Sequence, residues 1–445
     1  MLTIWHHHQR IGTIIINQDD RWEFEYDADW DGFPIMPQIP VGQEAPKDVI
    51  HNRLIEWFMD NLLPEGAIRQ AYAKKADLSE HNTWALLTAY GGDVAGALTI
   101  LPEGHVPPDN DQKYTLIADH DLAKRIQQSK EGTPMMIASE VRRMSLAGAQ
   151  DKMTIRLIDN NVYLPDHCTP STHILKPDSI NKDYPFCPAN EYFCMQLAGM
   201  VGLNVPETYL LSFAGYRAYI VDRYDRERNK EGHIERLHQV DACQALGLPK
   251  SQKYEDEGGL NTVELITQSV AACDTKAKTK SVLLDWVIYN YLIGNSDAHA
   301  KNFSFMVTAD LIGPAPLYDL VCVEAYHQDN RLASSLAGEM KAGFVEGAHW
   351  DAFSLLCGIH PKLTRKRLAL LSKKAIDAAV KLHASQVFTA EEEVFLSSVV
   401  DVVKQRAHFI AESLSSPLRS TRAHFSDLND QGLVIDESIL ALLSV

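Results

Sequence analysis

No cysteine pair in this sequence has a metal-binding or redox spacing. Cys168, Cys187, Cys194, Cys243, Cys273, Cys322 and Cys357 form no C-x-x-C and are scattered among apolar neighbours, as buried free thiols are. That excludes a zinc ribbon or disulfide scaffold and points to a reducing, cytoplasmic compartment. Long apolar runs are missing too. No stretch approaches the roughly eighteen uninterrupted apolar residues of a spanning helix, and the opening MLTIWHHHQRIG is too polar for a secretory leader, so no membrane partner is expected. Positive charge is scarce: 59 acidic against 42 basic side chains leave a formal charge of −17. Such a chain is repelled by phosphate backbones. Autonomous DNA binding is not expected, whereas contact through a basic partner stays open.

What is present is enough apolar material, 45% of 445 residues, for about two or three packed domains. Residues 1–105 read as a small α+β unit. GTIIIN and RWEFEYD are strands across a turn, HNRLIEWFMDNLL and SEHNTWALLTAYGG are helices, and GALTILPEG is a closing strand. His6, His7 and His8 read as the exposed side of a first strand. Residues 106–240 are strand-rich: KMTIRLI and NVYLP flank DNN as a hairpin, STHILKP adds a strand, and ANEYFCMQLAGMVG is a helix. TYLLSF and YRAYIVDRYD form a second antiparallel pair. Residues 241–445 are dominated by helices, interrupted by a polar and aromatic patch from 295 to 326.

The helical run SVLLDWVIYNY opens directly into LIGNSDAHAKNF, which crowds Asp297, His299, Lys301 and Asn302 together. Asp297 and Asn302 stand five apart, the D-x-x-x-x-N spacing of kinase catalytic loops, in which the Asp takes a proton and the Asn holds magnesium. NFSFMV and LIGPAPLYD then read as a hairpin that returns Asp319 close to Asn302, and a carboxylate with an amide oxygen suits a hard cation on phosphates. Lys301 beside a transferred phosphoryl group would stabilise developing charge.

Upstream, SLAGAQDK has small residues at Ala147, Gly148 and Ala149 that let backbone N–H groups approach an anion. Lys176 ends a strand and, if buried, needs an anionic partner, for which Glu191 is placed in the next helix. In AYIVDRYDR an apolar strand turns polar, as a hinge facing a flat adenine ring would. Taken singly, Asp222, Arg223 and Asp225 read as surface ion pairs. The order of the pieces, from phosphate loop through Lys, helix Glu, hinge and Asp/Asn loop to metal Asp, is the order of a kinase.

SLAGAQDK, HILKP, NEYFCMQLAGMVGLNVPE, VDRYDR, HQVDACQALGLPKSQKYEDEGG, GNSDAHAKNFS and YDL together resemble the HipA family, the serine/threonine kinase toxins of bacterial type II toxin–antitoxin modules. GTIIINQDDRWEFEYDADW, DNLLPEG and GGDVAGAL extend the resemblance to the N-terminal third. It implies an α+β, two-lobed, protein-kinase-like fold with an extra N-terminal α+β subdomain and an all-helical C-terminal lobe. It implies ATP and Mg2+ as cofactors, Asp297 as catalytic base, and Asn302 and Asp319 as metal ligands. Ala147, Gly148, Ala149, Gln150, Asp151 and Lys152 would cover the phosphates, Lys176 would contact them, and Asp222, Arg223 and Tyr224 would hold adenine. His299, Ala300 and Lys301 would line the nucleotide side of the catalytic loop, and Ser145 is placed where members autophosphorylate. The implied partners are a HipB-like helix-turn-helix antitoxin, operator DNA mainly through that antitoxin, and an aminoacyl-tRNA synthetase, typically the glutamyl enzyme, as substrate. A small-molecule kinase and a catalytically silent corepressor of an antitoxin are the alternative readings.

Overall fold

The computed structural model describes residues 1–42, 49–108, 112–136, 147–148, 150–179, 181–326 and 331–414. These fall into two compact units: residues 1–188, 206–250 and 303–316, and residues 189–205, 251–302 and 317–445. Among the described residues no helix is long and apolar enough to cross a membrane.

The first unit begins with an antiparallel sheet of β1 (Leu2–His6), β2 (Gln9–Ile16), β3 (Trp22–Tyr26) and β4 (Thr99–Pro102), in the order β3-β2-β1-β4. Helices α1 (Val49–Asp60), α2 (Gly66–Lys75) and α3 (Thr83–Tyr90) lie between β3 and β4 in the chain. The histidine run does not decorate the strand. His6 ends β1 and turns its ring edge-on to Trp30 and Phe33, and His7 makes the turn to β2 with a φ of 52°. The His6 ring keeps a polar partner there, its Nε2 lying 3.1 Å from Arg236 O, and only His8 of the three is exposed.

A six-stranded antiparallel sheet follows, built from β5 (Tyr114–Leu116), β6 (Met153–Ile158), β7 (Asn161–Pro165), β8 (His173–Pro177), β9 (Thr208–Phe213) and β10 (Tyr216–Asp222), in the order β5-β7-β6-β8-β10-β9. The DNN signal resolves as a two-residue turn: Asp159 and Asn160 have φ of 48° and 62°, and Ile158 pairs with Asn161. Two successive left-handed residues are what a tight hairpin demands, and Asp and Asn tolerate them. Ile155, Leu175, Ile220 and Leu164 pack with Leu122 and Ile126 of α4 (Asp119–Lys130) into one core. The ladder β11 (Arg226–Arg228) with β12 (Ile234–Arg236), the short helix α6 (Ala242–Leu246), and the sheet β13 (Gln239–Asp241), β14 (Ser304–Val307), β15 (Ile312–Pro314) complete the unit.

One ionic cluster explains why the N-terminal sheet and the strand-rich region form a single unit. Asp93, which follows α3, is fully buried, with Arg226 Nη2 2.7 Å, Arg236 Nη2 3.2 Å and Arg223 Nη1 3.4 Å from its carboxylate. The Ser171 hydroxyl donates to the same carboxylate at 2.7 Å, and Asp225 accepts two bonds from the Arg223 guanidinium at 2.9 and 2.8 Å. Arg223 and Asp225 are therefore not a surface pair. Burial alone would raise the Asp93 carboxyl, but Arg226, Arg223 and Arg236 hold it well below the usual carboxylate range. Buried charges persist only when each is paired and hydrogen-bonded.

Among its described residues the second unit is helical apart from one two-stranded ladder, β16 (Arg331–Leu336) with β17 (Glu339–Lys341). That ladder corrects the expectation of an all-helical lobe; its alternating buried and half-buried residues, RLASSL, are a strand pattern too short to stand out in sequence. The helices are α5 (Cys187–Val201), α7 (Thr262–Ala271), α8 (Lys276–Leu292), α9 (Gly347–Leu356), α10 (Pro361–His383) and α11 (Ala390–Ser413). From Leu283 to Leu292, α8 is buried on every side, as a central helix must be. The Tyr289 hydroxyl donates to Cys194 O of α5 at 2.6 Å, and Arg365 pairs with Asp351 to join α10 to α9.

Two outcomes follow. Asp93→Ala strands three guanidinium groups around a missing anion and should cost about 3–5 kcal/mol, read as a lower urea midpoint. His238 is fully buried: its Nε2–H donates to Ile35 O at 2.9 Å, its Nδ1 accepts from the Ala97 N–H, and burial lowers its pKa to about 4. Because that value lies below the unfolded one, stability is complete above pH 6.5 and is lost as the pH falls toward 4, by about 3 kcal/mol in all. Denaturation of His238→Asn across this range should show a shallower dependence than the parent.

Candidate active site

The geometry of the Asp297 loop is set by backbone bonds made by side chains. After α8 ends, the Asn295 N–H returns to Asn290 O at 2.9 Å, and its Nδ2 donates to Asn290 Oδ1 at 2.8 Å. Asn295 Oδ1 then accepts the Asp297 N–H at 3.1 Å. On the other side, Asp297 O accepts both the His299 N–H at 2.8 Å and Asn302 Nδ2 at 2.8 Å. Asp297 is thus gripped at both ends of its peptide by buried asparagines, while its side chain stays 46% exposed. A half-exposed carboxylate on a fixed main chain can be approached by a hydroxyl.

Spending Nδ2 on Asp297 O also decides which end of Asn302 is available. Its Oδ1 makes no hydrogen bond among the described residues, and an amide oxygen is a ligand for a hard cation. The β14–β15 hairpin pairs Phe305 with Pro314, and Ala315 N–H donates to Ser304 O at 2.9 Å. The chain beyond it returns to the loop: the Tyr318 hydroxyl donates to Lys301 O at 2.5 Å. Asp319 comes next, in the left-handed region at a φ of 57°. The segment after it is held by α5, since Asn190 donates to Cys322 O and accepts from Cys322 N–H, both at 2.9 Å. Among the described residues no group of three or more His, Cys, Asp or Glu side chains could hold a metal. Two oxygen donors, Asn302 and Asp319, suit instead a magnesium ion that keeps waters and takes phosphate oxygens.

The other loop residues are interior. Lys301 and His299 are buried, and Ala300 N–H donates to Lys253 O at 3.2 Å. The His299 ring lies edge-on to Tyr254, 4.8 Å away, with Nε2 3.9 Å from Asp297 Oδ1. Tyr254 donates its hydroxyl to Asp297 Oδ1. The sequence reading assigned no role to Tyr254, Asn290 or Asn295. Tyr254 precedes its partner by 43 residues, beyond any spacing motif, whereas Asn295 lay inside GNSDAHAKNFS and could have been read as a turn former.

The remaining candidates except Glu191 belong to the first unit. Lys176 is buried on β8, its Nζ 5.9 Å from the ring of Tyr219, the residue it pairs with on β10. Glu191 is buried on α5 in the second unit. The side chains of the Asp222–Tyr224 stretch are bonded within the unit: His173 Nε2 lies 2.9 Å from Asp222 Oδ1, although the Asp222 side chain is 38% exposed, Arg223 is in the ionic cluster, and Tyr224 donates to Gln239 at 3.1 Å. Their main chain is engaged as well: the Asp222 N–H donates to Glu207 O and the Arg223 N–H to Thr172 O, both at 2.9 Å. Gly148 has a φ of 106°, closed to other residues without strain, and its carbonyl accepts the Glu65 N–H at 3.0 Å. Lys152 Nζ donates back to Ala147 O at 2.8 Å. Asp151 faces inward, bonded by Ser129 Oγ and by Met135 N–H at 3.0 Å, and burial raises its pKa. Gln150 is exposed. Ser145 and Ala149 lie outside the described residues.

Comparison with known proteins places the chain in a family. The HipA-like C-terminal domain family matches residues 144–382, and the HipA N-terminal domain family matches residues 2–101. Y4mE of Sinorhizobium fredii is 32% identical, covering 93% of this chain and 99% of that protein. The serine/threonine-protein kinase toxin HipA of Shewanella oneidensis is 31% identical, covering 82% of this chain and 84% of that protein. A chain of the solved complex of Shewanella oneidensis HipA, HipB and operator DNA superposes with a TM-score of 0.82 at 27% identity, over 94% of this chain and 100% of that one. The chain belongs to the HipA family of toxin kinases, and its fold is the HipA-like kinase fold.

Replacing Asn295 by Leu leaves the Asp297 N–H without its acceptor in a buried setting. The expected loss is about 1–3 kcal/mol, measured as a lower thermal midpoint.

Proposed function

We propose that this chain is an ATP- and Mg2+-dependent serine/threonine protein kinase that transfers the γ-phosphate to a serine of a translation factor. An aminoacyl-tRNA synthetase such as the glutamyl enzyme is the expected target, and growth inhibition the result. Seven free thiols agree with action in the cytoplasm. The observation that carries the reading is the pair of asparagine bonds that place a half-exposed Asp297 carboxylate and the Asn302 amide oxygen on one loop.

In the reaction, the serine Oγ attacks the γ-phosphorus while its proton passes to the Asp297 carboxylate, and the bond from the γ-phosphorus to the bridging oxygen breaks to release ADP. Asn302 and Asp319 would hold magnesium, which when bound neutralises charge on the phosphate oxygens. Lys176 and Lys301 supply fixed positive charge for the phosphates, and the main chain of residues 147–152 supplies N–H groups. Asp222, Arg223 and Tyr224 would hold adenine. Phosphoryl transfer needs little covalent help, so placement and charge carry the rate. Autophosphorylation at Ser145 would put two negative charges beside the phosphate loop and oppose nucleotide binding there. The chain is the toxin of a pair, restrained by a HipB-like helix-turn-helix antitoxin that brings it to operator DNA. This fits a chain whose own charge is −17 and the complex in which its Shewanella relative was solved.

Asp297→Asn tests the assignment. With labelled ATP and bacterial lysate, transfer to protein should fall at least about hundredfold, with the thermal midpoint and ATP binding retained. Full transfer by this variant removes Asp297 from the mechanism.

A further inference from the structure

The hydroxyl of Tyr254 is bonded to the carboxylate that the kinase reading uses as its base. A hydroxyl in that position has two roles open to it. It can stand where the substrate hydroxyl must come and block it, or it can hold one oxygen while the other works. The exposure of Asp297 decides. With 46% of its side chain open to solvent while the Tyr254 bond is in place, the carboxylate is held and not plugged.

The loop that presents Tyr254 is itself fixed at several points. Lys253 O accepts the Ala300 N–H at 3.2 Å, which ties the loop to the residue three beyond Asp297. Glu255 accepts both the N–H of Ser335 and its hydroxyl, the latter at 2.8 Å, anchoring the loop to β16. Tyr254 O accepts the Gly259 N–H at 2.9 Å. A Cβ at residue 259 would stand 2.2 Å from Gln252 O and 2.6 Å from Tyr254 O, so only glycine lets the loop close this tightly. The edge-on contact with His299 sets the tilt of the ring. A phenol held this way keeps its direction without induced movement.

We propose that Tyr254 is a positioning residue of the phosphoryl-transfer reaction: its hydroxyl fixes the Asp297 carboxylate in one rotamer, with the other oxygen turned to the substrate. This rests on the assignment of Asp297 as the base. The loop from Lys253 to Gly259 thereby becomes part of the catalytic apparatus, although it is remote in sequence and touches neither nucleotide nor substrate in this role.

The test measures phosphate transfer from γ-labelled ATP to heat-treated bacterial lysate protein, using the full-length chain and three variants. Tyr254→Phe should lower kcat roughly tenfold and leave KM for ATP unchanged. Gly259→Ala keeps the hydroxyl but displaces it and should also lower kcat with KM for ATP unchanged; thermal midpoints verify that each variant is folded. An unchanged kcat in Tyr254→Phe, with Asp297→Asn inactive, overturns the proposal and leaves the base in place. A faster Tyr254→Phe overturns it in favour of a plug. An active Asp297→Asn removes the base, and the proposal with it.

Discussion

Two asparagine side chains bracket one peptide, and the chemistry proposed for this molecule depends on that bracket. Asn295 takes the Asp297 N–H and Asn302 gives its amide to the Asp297 carbonyl. Side-chain amides can replace a regular ladder in this way because they carry donor and acceptor together. The bracket satisfies both polar groups of Asp297's main chain in a half-buried loop, where leaving them unsatisfied would be costly. It also has a directional consequence: once Nδ2 is committed, the amide oxygen of Asn302 is the end that can meet a cation. The proposed base and the proposed ligand are thereby fixed by the same bond.

The Asp93 cluster plays a comparable part in the first unit. Three arginines and two aspartates are buried where an apolar core would pack with less risk. Such networks are weak sources of stability but strict about partners. Asp93 belongs to the N-terminal subdomain, Ser171 precedes β8, and Arg223, Arg226 and Arg236 follow β10. The cluster therefore sets the register between the N-terminal subdomain and the end of β10. This is why VDRYDR is spent largely on architecture, even though Asp222–Tyr224 are proposed to hold adenine.

Periodicity and turn chemistry carried much of the fold. The DNN hairpin, the buried α8 and the long helices toward the C-terminus all stood in local pattern, because each is specified within about a dozen residues. Charge burial did not. Arg223 and Asp225 have the composition of a surface pair, and nothing within AYIVDRYDR signals an aspartate 130 residues upstream. The β16–β17 ladder was hidden by its brevity, and the histidine run by aromatic partners more than twenty residues away. At the site, the spacing of Asp297 and Asn302 was legible because one loop contains both. Tyr254 was not, since its partner is chosen by the packing of a second loop.

The central claim is that Asp297, Asn302 and Asp319 act on the terminal phosphate of a nucleotide. The most direct measurement is a crystal structure of the full chain with Mg2+ and a non-hydrolysable ATP analogue. The account predicts the γ-phosphate facing the Asp297 carboxylate and the metal bound by the Asn302 amide oxygen and the Asp319 carboxylate. Phosphates directed away from Asp297, or a metal held without those two oxygens, would contradict it.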